Sequence, residues 1–461
     1  MNTRDVLTAM LPEHLLLAGI VLILVLEIVR TRSRGALTLS LAAVIGATVA
    51  ALTLAIGGYA ASPFPGQFSV DPAALLAKAV VLALAIPVLL LSRDDAADAR
   101  FHVLILSSLY GVCLLFSADS FLTLFLGLEL MSLPVYVLVL LGAGRAHSAE
   151  AAFKYLVLSG AATATFLMGA SLLYGSSGSL ALAPFTDALA ARDPMALTAV
   201  VLIVVAFLLK AAIVPFHAWA PDAYEGASFS VTAYMATIIK AGVLLAVVRL
   251  VGMAPVERPL TDLIAILPLV SIVWGNLAAI RQKSFRRMIA YSSIAHAGYL
   301  FYAFLGDGPG RYQAVVFYVL AYGFMNVLAF ACLPRSDDDT AQDRLAGLKG
   351  LFSRNPYAAL MIAVAMLSLA GIPPLPGFIA KFLIFRNVMA AGYTTYAVLG
   401  LVGSYLGIYF YLRVIQFMFM SGDEAAVGLA TSRRLALGTS LLCLLPGIAL
   451  SVFPGWFISQ L

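Results

Sequence analysis

The chain has 461 residues, of which 62% are hydrophobic and only 11% are charged. Soluble domains average about 45–50% apolar and about 25% charged residues, so a water-soluble chain of this length could not bury so much apolar surface. A net charge of +5 could indicate nucleic-acid binding in a soluble protein, but in a membrane protein it is typical of cationic cytoplasmic loops. The composition predicts a membrane protein that crosses the bilayer many times.

Fourteen segments are apolar and long enough to cross the hydrocarbon core as helices, which takes about 20 residues each. They lie near 11–29, 36–57, 72–91, 101–117, 121–142, 151–174, 196–224, 229–252, 261–280, 288–305, 313–333, 357–391, 395–420 and 435–457. The seventh and twelfth are too long for a simple crossing, and they contain Pro215 and Pro221, and Pro373, Pro374 and Pro376, respectively. Because proline removes a backbone donor and clashes with the preceding turn, both helices are predicted to be interrupted, next to protein or a water-filled cavity.

The two interrupted segments are five spans apart, and a unit of five helices must be inverted in the membrane when it is repeated. We therefore predict an all-α protein with a single membrane domain, 1–461, built on two inverted five-helix repeats. Spans 4–8 (101–252) and 9–13 (261–420) form the repeats, after three N-terminal helices (1–100) and before a C-terminal helix (435–457). Loops that follow odd-numbered spans carry most of the loop arginines, so the positive-inside rule places them in the cytoplasm and both termini outside.

Lysines in this chain are concentrated inside the predicted spans. Five of the seven are Lys78, Lys154, Lys210, Lys240 and Lys381. A charged side chain at mid-bilayer costs roughly 2.5–3.5 kcal/mol on insertion scales, so these side chains should face protein or water. Arginine stays protonated in essentially any protein environment, whereas a desolvated lysine can release its proton near neutral pH and a nearby carboxylate opposes that release. The pattern therefore predicts a proton relay.

Glu129 is the acid in the middle of a predicted span and is the expected partner of these lysines. Each member of the predicted relay also has a plainer interpretation. Glu129 can form a static ion pair, Lys210 can reach an interface, Lys240 can make one fixed hydrogen bond to a carbonyl, and Lys381 can cap the broken twelfth helix.

The remaining candidates are weaker. Lys154 follows Glu150 by four residues and can form an ordinary i,i+4 pair. Lys78 lies close to the end of its span and is expected to extend toward the membrane surface. His217 and His296 are inside predicted spans and suit proton transfer, although a lone buried histidine is more often a satisfied core residue.

Nothing in the sequence predicts a metal or a redox cofactor. Neither histidine inside a span has a second ligand at metal-binding spacing. The cysteines, Cys113, Cys332 and Cys443, lie in apolar segments without CxxC spacing and resemble small core residues. The chain has no Walker-type loop and no GxGxxG that opens a helix after a strand. We predict that it binds no NADH, flavin, iron–sulfur cluster or metal.

Five segments together resemble the antiporter-like, proton-translocating subunits of respiratory complex I, the NADH:quinone oxidoreductase. They are Gly127–Tyr136, Glu150–Tyr155, Lys210–Asp222, Ala290–Tyr299 and Leu369–Phe382. The Ser-Leu-Pro shortly after the glutamate and the string Ile-Ala-His-Ala-Gly-Tyr favour the N-type branch of this family over the L and M types.

The resemblance implies a role for each residue. Glu129 is expected to modulate Lys210, Lys240 to bridge the two halves with His296 on a central polar axis, and Lys381 to lie near the exit toward the outer face. The resemblance also implies that NADH, FMN, iron–sulfur clusters and quinone are held by partner subunits, and that the chain serves as one subunit of that enzyme. Expected partners are neighbouring antiporter-like and small membrane subunits and lipids, with no nucleic acid. The expected location is the bacterial inner membrane, with periplasmic termini.

One departure from the family pattern affects the eighth span. The family usually has Ala-Pro-Thr-Pro-Val after the glycine at 226, whereas residues 227–231 here are Ala-Ser-Phe-Ser-Val, so the start of this helix is not settled by the resemblance. Three alternatives stay open: an Mrp-type cation/proton antiporter subunit, a related subunit of a membrane-bound hydrogenase or a photosynthetic complex, and a structural membrane scaffold.

Overall fold

Helices make up nearly all of the regular structure in the computed structural model, which describes residues 3–29, 35–95, 98–142, 145–189, 193–252, 260–306, 308–334, 343–421 and 433–460. Within lipid, a backbone can satisfy its own polar groups only as a helix or a closed barrel. The helices of the first half are α1 (Thr3–Ala9), α2 (Leu11–Val29), α3 (Ala36–Ile56), α4 (Pro72–Leu91), α5 (Ala99–Phe116), α6 (Phe121–Leu140), α7 (Arg145–Ser177), α8 (Ala183–Leu189), α9 (Pro194–Lys210), α10 (Trp219–Gly226), α11 (Phe229–Tyr234) and α12 (Lys240–Val251).

The second half of the chain is also built of helices. Its helices are α13 (Leu260–Ile280), α14 (Phe285–Tyr302), α15 (Gly308–Ala331), α16 (Leu351–Arg354), α17 (Pro356–Ala370), α18 (Pro376–Ala390), α19 (Thr394–Phe419), α20 (Arg433–Val452) and α21 (Pro454–Gln460). Several loops whose arginines indicate the orientation, among them 30–34 and 335–342, lie outside the described residues.

Eleven helical segments of the described chain are long and apolar enough to cross a membrane, and the bent pair α20–α21 makes a twelfth. The helices α9 and α17 are apolar but shorter. The prediction of a multi-pass helical membrane protein is therefore confirmed. An element that the sequence analysis did not predict is a small antiparallel hairpin between α3 and α4, in which β1 (Ala61–Phe64) pairs with β2 (Phe68–Val70).

The seventh and twelfth predicted segments are both interrupted, as their prolines suggested. Helix α9 ends at Lys210 and α10 begins at Trp219, with a cis peptide bond before Pro215 between them. Helix α17 ends at Ala370, and Gly371, with φ of +86°, lets the chain leave the helix in a left-handed conformation. Each break exposes backbone groups that a continuous helix would have bonded internally.

The eighth predicted segment begins as a helix without the proline turn that is usual in the family. Ser228 caps it, because its hydroxyl accepts a hydrogen bond from the amide of Val231 at 3.5 Å. A π-helical turn, Met235–Ile239, then leads directly into Lys240. Single π turns occur frequently at functional sites, so this irregularity marks the position of Lys240.

The core of the protein lies around the helices in the middle of the chain. All residues in the apolar stretch of Phe229–Val251 that is long enough to cross a membrane are buried, and 94% are buried in that of Gly308–Ala331. In the corresponding stretch of Leu11–Val29, only 28% of the residues are buried. Close helix packing relies on small residues, as expected where apolar burial does not drive helices together. A Cβ at Gly111 of α5 would lie only 2.3 Å from the backbone nitrogen of Met131 on α6.

Candidate functional site

Lys210 is the last residue of α9, directly before the first break. Its ammonium donates a hydrogen bond to Ser159 Oγ on α7 at 2.8 Å and lies 3.3 Å from Glu129 Oε1 on α6. Ser132 Oγ, one turn from the glutamate, is 3.4 Å away. The glutamate also accepts a 2.5 Å hydrogen bond from the hydroxyl of Thr163. The structure thus brings the two predicted partners together and surrounds them with hydroxyl groups.

Lys240 opens α12 immediately after the π-helical turn. Its ammonium is buried and donates to the backbone carbonyl of Ser293 on α14 at 2.5 Å. The hydroxyl of the same serine is hydrogen-bonded to Tyr224 OH on α10 at 3.1 Å. The contact with a carbonyl fits the interpretation that Lys240 makes one fixed hydrogen bond. The same serine, however, also links Lys240 to Tyr224 through its hydroxyl.

His296 lies on α14, one turn after that serine, and both of its ring nitrogens have hydroxyl partners. Nδ1 is 2.7 Å from Tyr318 OH on α15, and Nε2 is 3.0 Å from Tyr411 OH on α19. The hydroxyl of Tyr411 is also 2.5 Å from Ser292 Oγ. A neutral imidazole has one donor and one acceptor nitrogen, so this histidine connects two hydroxyl groups on different helices.

Lys381 lies on α18, after the second break. Its ammonium donates to the carbonyl of Ala370 and to Ser404 Oγ, each at 3.0 Å, and lies 4.9 Å from the centre of the Tyr299 ring. Ala370 is the last residue of α17, so its carbonyl is one of those that a helix end leaves unbonded. Among the described residues, no carboxylate forms an ion pair with this lysine.

The hydroxyl groups that join these side chains were not found from the sequence. Each of these hydroxyl groups lies on a different helix from the lysine or histidine that it contacts, so sequence spacing does not reveal the contact. The four residues are Ser159, Ser404, Tyr318 and Tyr411. One feature of the sequence could have indicated such contacts. Two serines, Ser292 and Ser293, precede His296 by about one turn and give α14 a polar face inside an apolar core.

Lys154 belongs to a network of charged side chains that is partly exposed. It lies 2.7 Å from both Glu150 and Asp222, and Arg287 contacts the same aspartate at 2.7 Å and Glu225 at 2.9 Å. The expected i,i+4 pair is present, and the network also ties α7 to α10 and α14. The side chain of Lys154 is 42% exposed, unlike the three buried lysines.

His217 lies in the break between α9 and α10 and is half-buried. Its Nε2 accepts a 3.0 Å hydrogen bond from the indole of Trp274 on α13. No hydrogen bond of the described residues joins it to Lys210, Glu129 or His296. This histidine is therefore not joined directly to those relay candidates by a hydrogen bond.

Lys78 corrects an expectation of the sequence analysis. It does not extend to the membrane surface: its side chain is fully buried, and its ammonium lies 2.5 Å from Oε1 of Glu13, which is also fully buried. The acid was overlooked because it stands at the very start of its apolar segment, where charged residues are common. Its carboxylate is nevertheless fully buried, in a helix that packs mainly against α3 and α5.

Outside the spans, a further buried ion pair holds the beginning of α14. Asp343 lies 3.3 Å from Arg286 and accepts a 2.9 Å hydrogen bond from the backbone amide of the same arginine. Burial raises the pKa of Asp343, although the arginine acts in the opposite direction. This pair holds the chain at Asp343, which follows the long polar loop, against the beginning of α14.

Three buried lysines, a partly buried glutamate paired with one of them, and hydroxyl-bearing helices around two broken helices define a membrane subunit of the proton-antiporter type. Residues 118–407 match the family model described as NADH:quinone oxidoreductase/Mrp antiporter, transmembrane. The chain belongs to this family.

The comparisons with individual proteins extend over nearly the whole chain. The subunit N of NADH-quinone oxidoreductase from Pelobacter propionicus is 39% identical over 456 residues, covering 96% of this chain and 98% of the relative. A chain of respiratory complex I from Thermus thermophilus is 32% identical with a TM-score of 0.83, covering 97% of this chain and 98% of that chain. A chain of the Mrp complex from Dietzia has a TM-score of 0.84 at 22% identity, covering 98% of this chain and 96% of that chain, which shows a common fold alone. The resemblance to N-type subunits is confirmed.

Proposed function

We propose that this chain is the proton-translocating N-type subunit of a bacterial NADH:quinone oxidoreductase. The observation that carries the proposal is the contact between Lys210 and Glu129, 3.3 Å apart, at the end of a broken helix and next to hydroxyl groups. The relationship to subunit N of Pelobacter propionicus supports the assignment to this enzyme rather than to an Mrp antiporter.

In this mechanism, Glu129 controls the charge of Lys210. At 3.3 Å the Coulomb attraction of the pair is about 5 kcal/mol for an effective dielectric constant of 20, and the partial exposure of the glutamate reduces it. Moving one elementary charge against 100 mV takes about 2.3 kcal/mol. Because the two energies are similar, a displacement of the glutamate is sufficient to decide whether the lysine holds or releases its proton.

Protons then pass along the buried polar groups toward the second break. Lys240 lies between the two halves, His296 exchanges protons with the hydroxyls of Tyr318 and Tyr411, and Lys381 delivers the proton near the outer face. Short hydrogen bonds and buried water are the means of transfer between these groups. His217 and Lys154 take part only at the edges of this route.

The same proposal covers the membrane topology. If α9 with α10, and α17 with α18, are each one interrupted crossing, they add two crossings to the twelve described above and give the predicted fourteen. Two inverted five-helix repeats, 101–252 and 261–420, then each contain one broken helix. An even number of crossings places both termini on one side, which we assign to the periplasmic side of the bacterial inner membrane.

Electron transfer takes place in other subunits. We propose that NADH, FMN, iron–sulfur clusters and quinone are bound by partner chains, and that this chain contributes to the enzyme only by translocating protons. Neighbouring antiporter-like and small membrane subunits and lipids cover its apolar outer helices.

The test is NADH-driven proton pumping in membrane vesicles that contain the assembled complex. Lys210→Ala should abolish pumping and coupled quinone reduction while assembly is retained. Lys210→Arg should behave in the same way, because arginine keeps the charge but does not release a proton. Lys283→Ala changes an exposed loop lysine and is the matched control. Pumping near the wild-type level in Lys210→Ala would overturn the relay.

A further inference from the structure

A second buried ion pair lies outside the lysine relay, in the three N-terminal helices. Glu13 on α2 and Lys78 on α4 are both fully buried, with 2.5 Å between Oε1 and Nζ. Apart from this contact, neither the carboxylate oxygens nor the ammonium has a hydrogen-bond partner among the described residues. The pair formed by Lys210 and Glu129, by contrast, is surrounded by hydroxyl groups.

The surroundings of the pair are apolar on the side of the β-hairpin. The ring of Phe68 lies 5.1 Å from the ammonium of Lys78, and Phe68 packs with Ala9, Val70 and Leu75 in a small apolar cluster of its own. Within the described part of the chain, no hydroxyl group is hydrogen-bonded to the pair and neither side chain is exposed, so the pair has no hydrogen-bonded partner that could pass a proton on. It is therefore suited to a fixed contact rather than to proton transfer.

An isolated buried ion pair is not a source of stability, because the loss of hydration of both ions offsets their attraction unless further hydrogen bonds are present. Its best-attested use is to select one arrangement of the elements that it joins. Such a contact can select the arrangement of α2, because only about a quarter of the apolar stretch of this helix is buried and lipid does not drive helices together.

Helix α4 connects this pair to the helix that carries Lys240. Asp71, the N-cap of α4, lies 3.0 Å from Arg249 near the end of α12. Beside this contact, a cavity of about 340 Å³ is lined by Ala77 of α4 and Val248 of α12. Side chains do not fill the space at this point, so the ion pair of Asp71 and Arg249 is the polar contact that joins α4 to the end of α12 there.

We propose that Glu13 and Lys78 are positioning residues for proton translocation: their ion pair fixes the depth and rotation of α4, and α4 in turn holds the helix of Lys240. This inference rests on the proposed function. In this proposal α2, α3 and α4 support the relay, and we call these three helices the brace. One ion pair lies on the α2 side of α4 and another on the α12 side.

The charge of the pair, rather than its volume, gives the proposal a specific signature. In Lys78→Met, the carboxylate of Glu13 is left alone in an apolar site and must take up a proton, which becomes harder as the pH rises. In Glu13→Gln, the ammonium of Lys78 must give up a proton, which becomes harder as the pH falls. The two variants should therefore lose function and heat stability in opposite pH directions, while the wild type shows neither trend.

Other titratable side chains near the pair are His14 on α2 and Tyr110 and Cys113 on α5. They are present in all variants, so their titration cancels when each variant is compared with the wild type. Glu27→Gln is the matched control, because Glu27 is an exposed acid on the same helix as Glu13.

The experiment measures protons pumped per NADH oxidised, and the heat stability of the purified complex, across pH 6 to 8. Each single variant should lose pumping severalfold, and the exchange Glu13→Lys with Lys78→Glu should restore most of it. Equal pumping in wild type and single variants, or losses with the same pH trend in both, would overturn the proposal.

Failure of a single variant to assemble leaves the proposal testable with the double variant Glu13→Gln, Lys78→Met, which buries no charge. We expect it to assemble and to pump less than the wild type at every pH, and wild-type pumping would reject the brace. Lys210→Ala is measured in parallel. If that variant pumps normally, the relay itself is wrong, whereas normal pumping only in the Glu13 and Lys78 variants rejects the brace alone.

Discussion

The two broken helices hold their lysines in different surroundings. Lys210, at the first break, has a carboxylate 3.3 Å away as well as the hydroxyl of Ser159. Lys381, at the second break, is held by a carbonyl, by the hydroxyl of Ser404 and by the face of an aromatic ring. Both lysines are buried to the same degree, with 7% of each residue exposed.

This difference shows two ways to accommodate a buried ammonium. At the first break a full counter-charge stabilises it, and a small movement of that charge changes its energy strongly, because Coulomb energy varies with distance and dielectric constant. At the second break no full counter-charge is present among the described residues, so the ammonium depends on its two hydrogen bonds and on the face of the Tyr299 ring. The first lysine is suited to control by a neighbour, and the second to handing its proton onward.

Among substitutions that change the partners of the two lysines, the largest effect is expected from Glu129→Gln, which makes the first break resemble the second by removing the counter-charge. Breaking a buried ion pair on one side costs about 3–5 kcal/mol, and the lower end applies here because the glutamate is partly exposed. We expect proton pumping in vesicles to fall by about a hundredfold, which corresponds to about 2.7 kcal/mol.

Glu129→Asp should retain part of the activity, since it keeps the charge at a greater distance. Glu27→Gln serves as a control for the loss of an acid in an exposed position. If Glu129→Gln pumps normally, the counter-charge has no role and the contrast between the two breaks is not functional.

A smaller effect is expected when each lysine loses one hydroxyl partner. A single hydrogen bond contributes about 0.5–1.5 kcal/mol, and one to a charged group about 1.5–3 kcal/mol. Ser404→Ala should therefore lower pumping about tenfold, whereas Ser159→Ala should lower it only a few-fold, since Lys210 keeps its carboxylate. The two variants are compared by initial pumping rates at equal amounts of assembled complex, and equal losses would contradict the difference proposed here.

The smallest effect is expected from His217→Asn. This side chain accepts a hydrogen bond from Trp274 and, within the described part of the chain, forms no hydrogen bond with either lysine of the broken helices. We expect pumping to stay within about twofold of the wild type, because one neutral hydrogen bond near the surface contributes about 1 kcal/mol or less. A loss as large as that of Lys210→Ala would place this histidine on the proton route and reverse our interpretation.

Much of the architecture could be predicted from the sequence, because a bilayer allows few solutions. Lipid forces the backbone to bond within each helix, so runs of apolar residues mark the crossings, and the prolines at 215 and 373–376 mark where two of them break. The hairpin between α3 and α4 was missed because its strands have only four and three residues. The start of the eighth helix also required the structure, which showed Ser228 as its cap.

The sequence itself determined which lysines and which glutamate lie inside the membrane, because a charge within an apolar segment is costly and therefore easily recognised. It also determined the family. Which groups meet was decided only by the tertiary structure. The partner of Lys78 is 65 positions away at Glu13, and His296 finds its hydroxyls on two other helices. Such contacts depend on the rotation and depth of each helix, which the packing of all the helices sets together and which no single segment encodes.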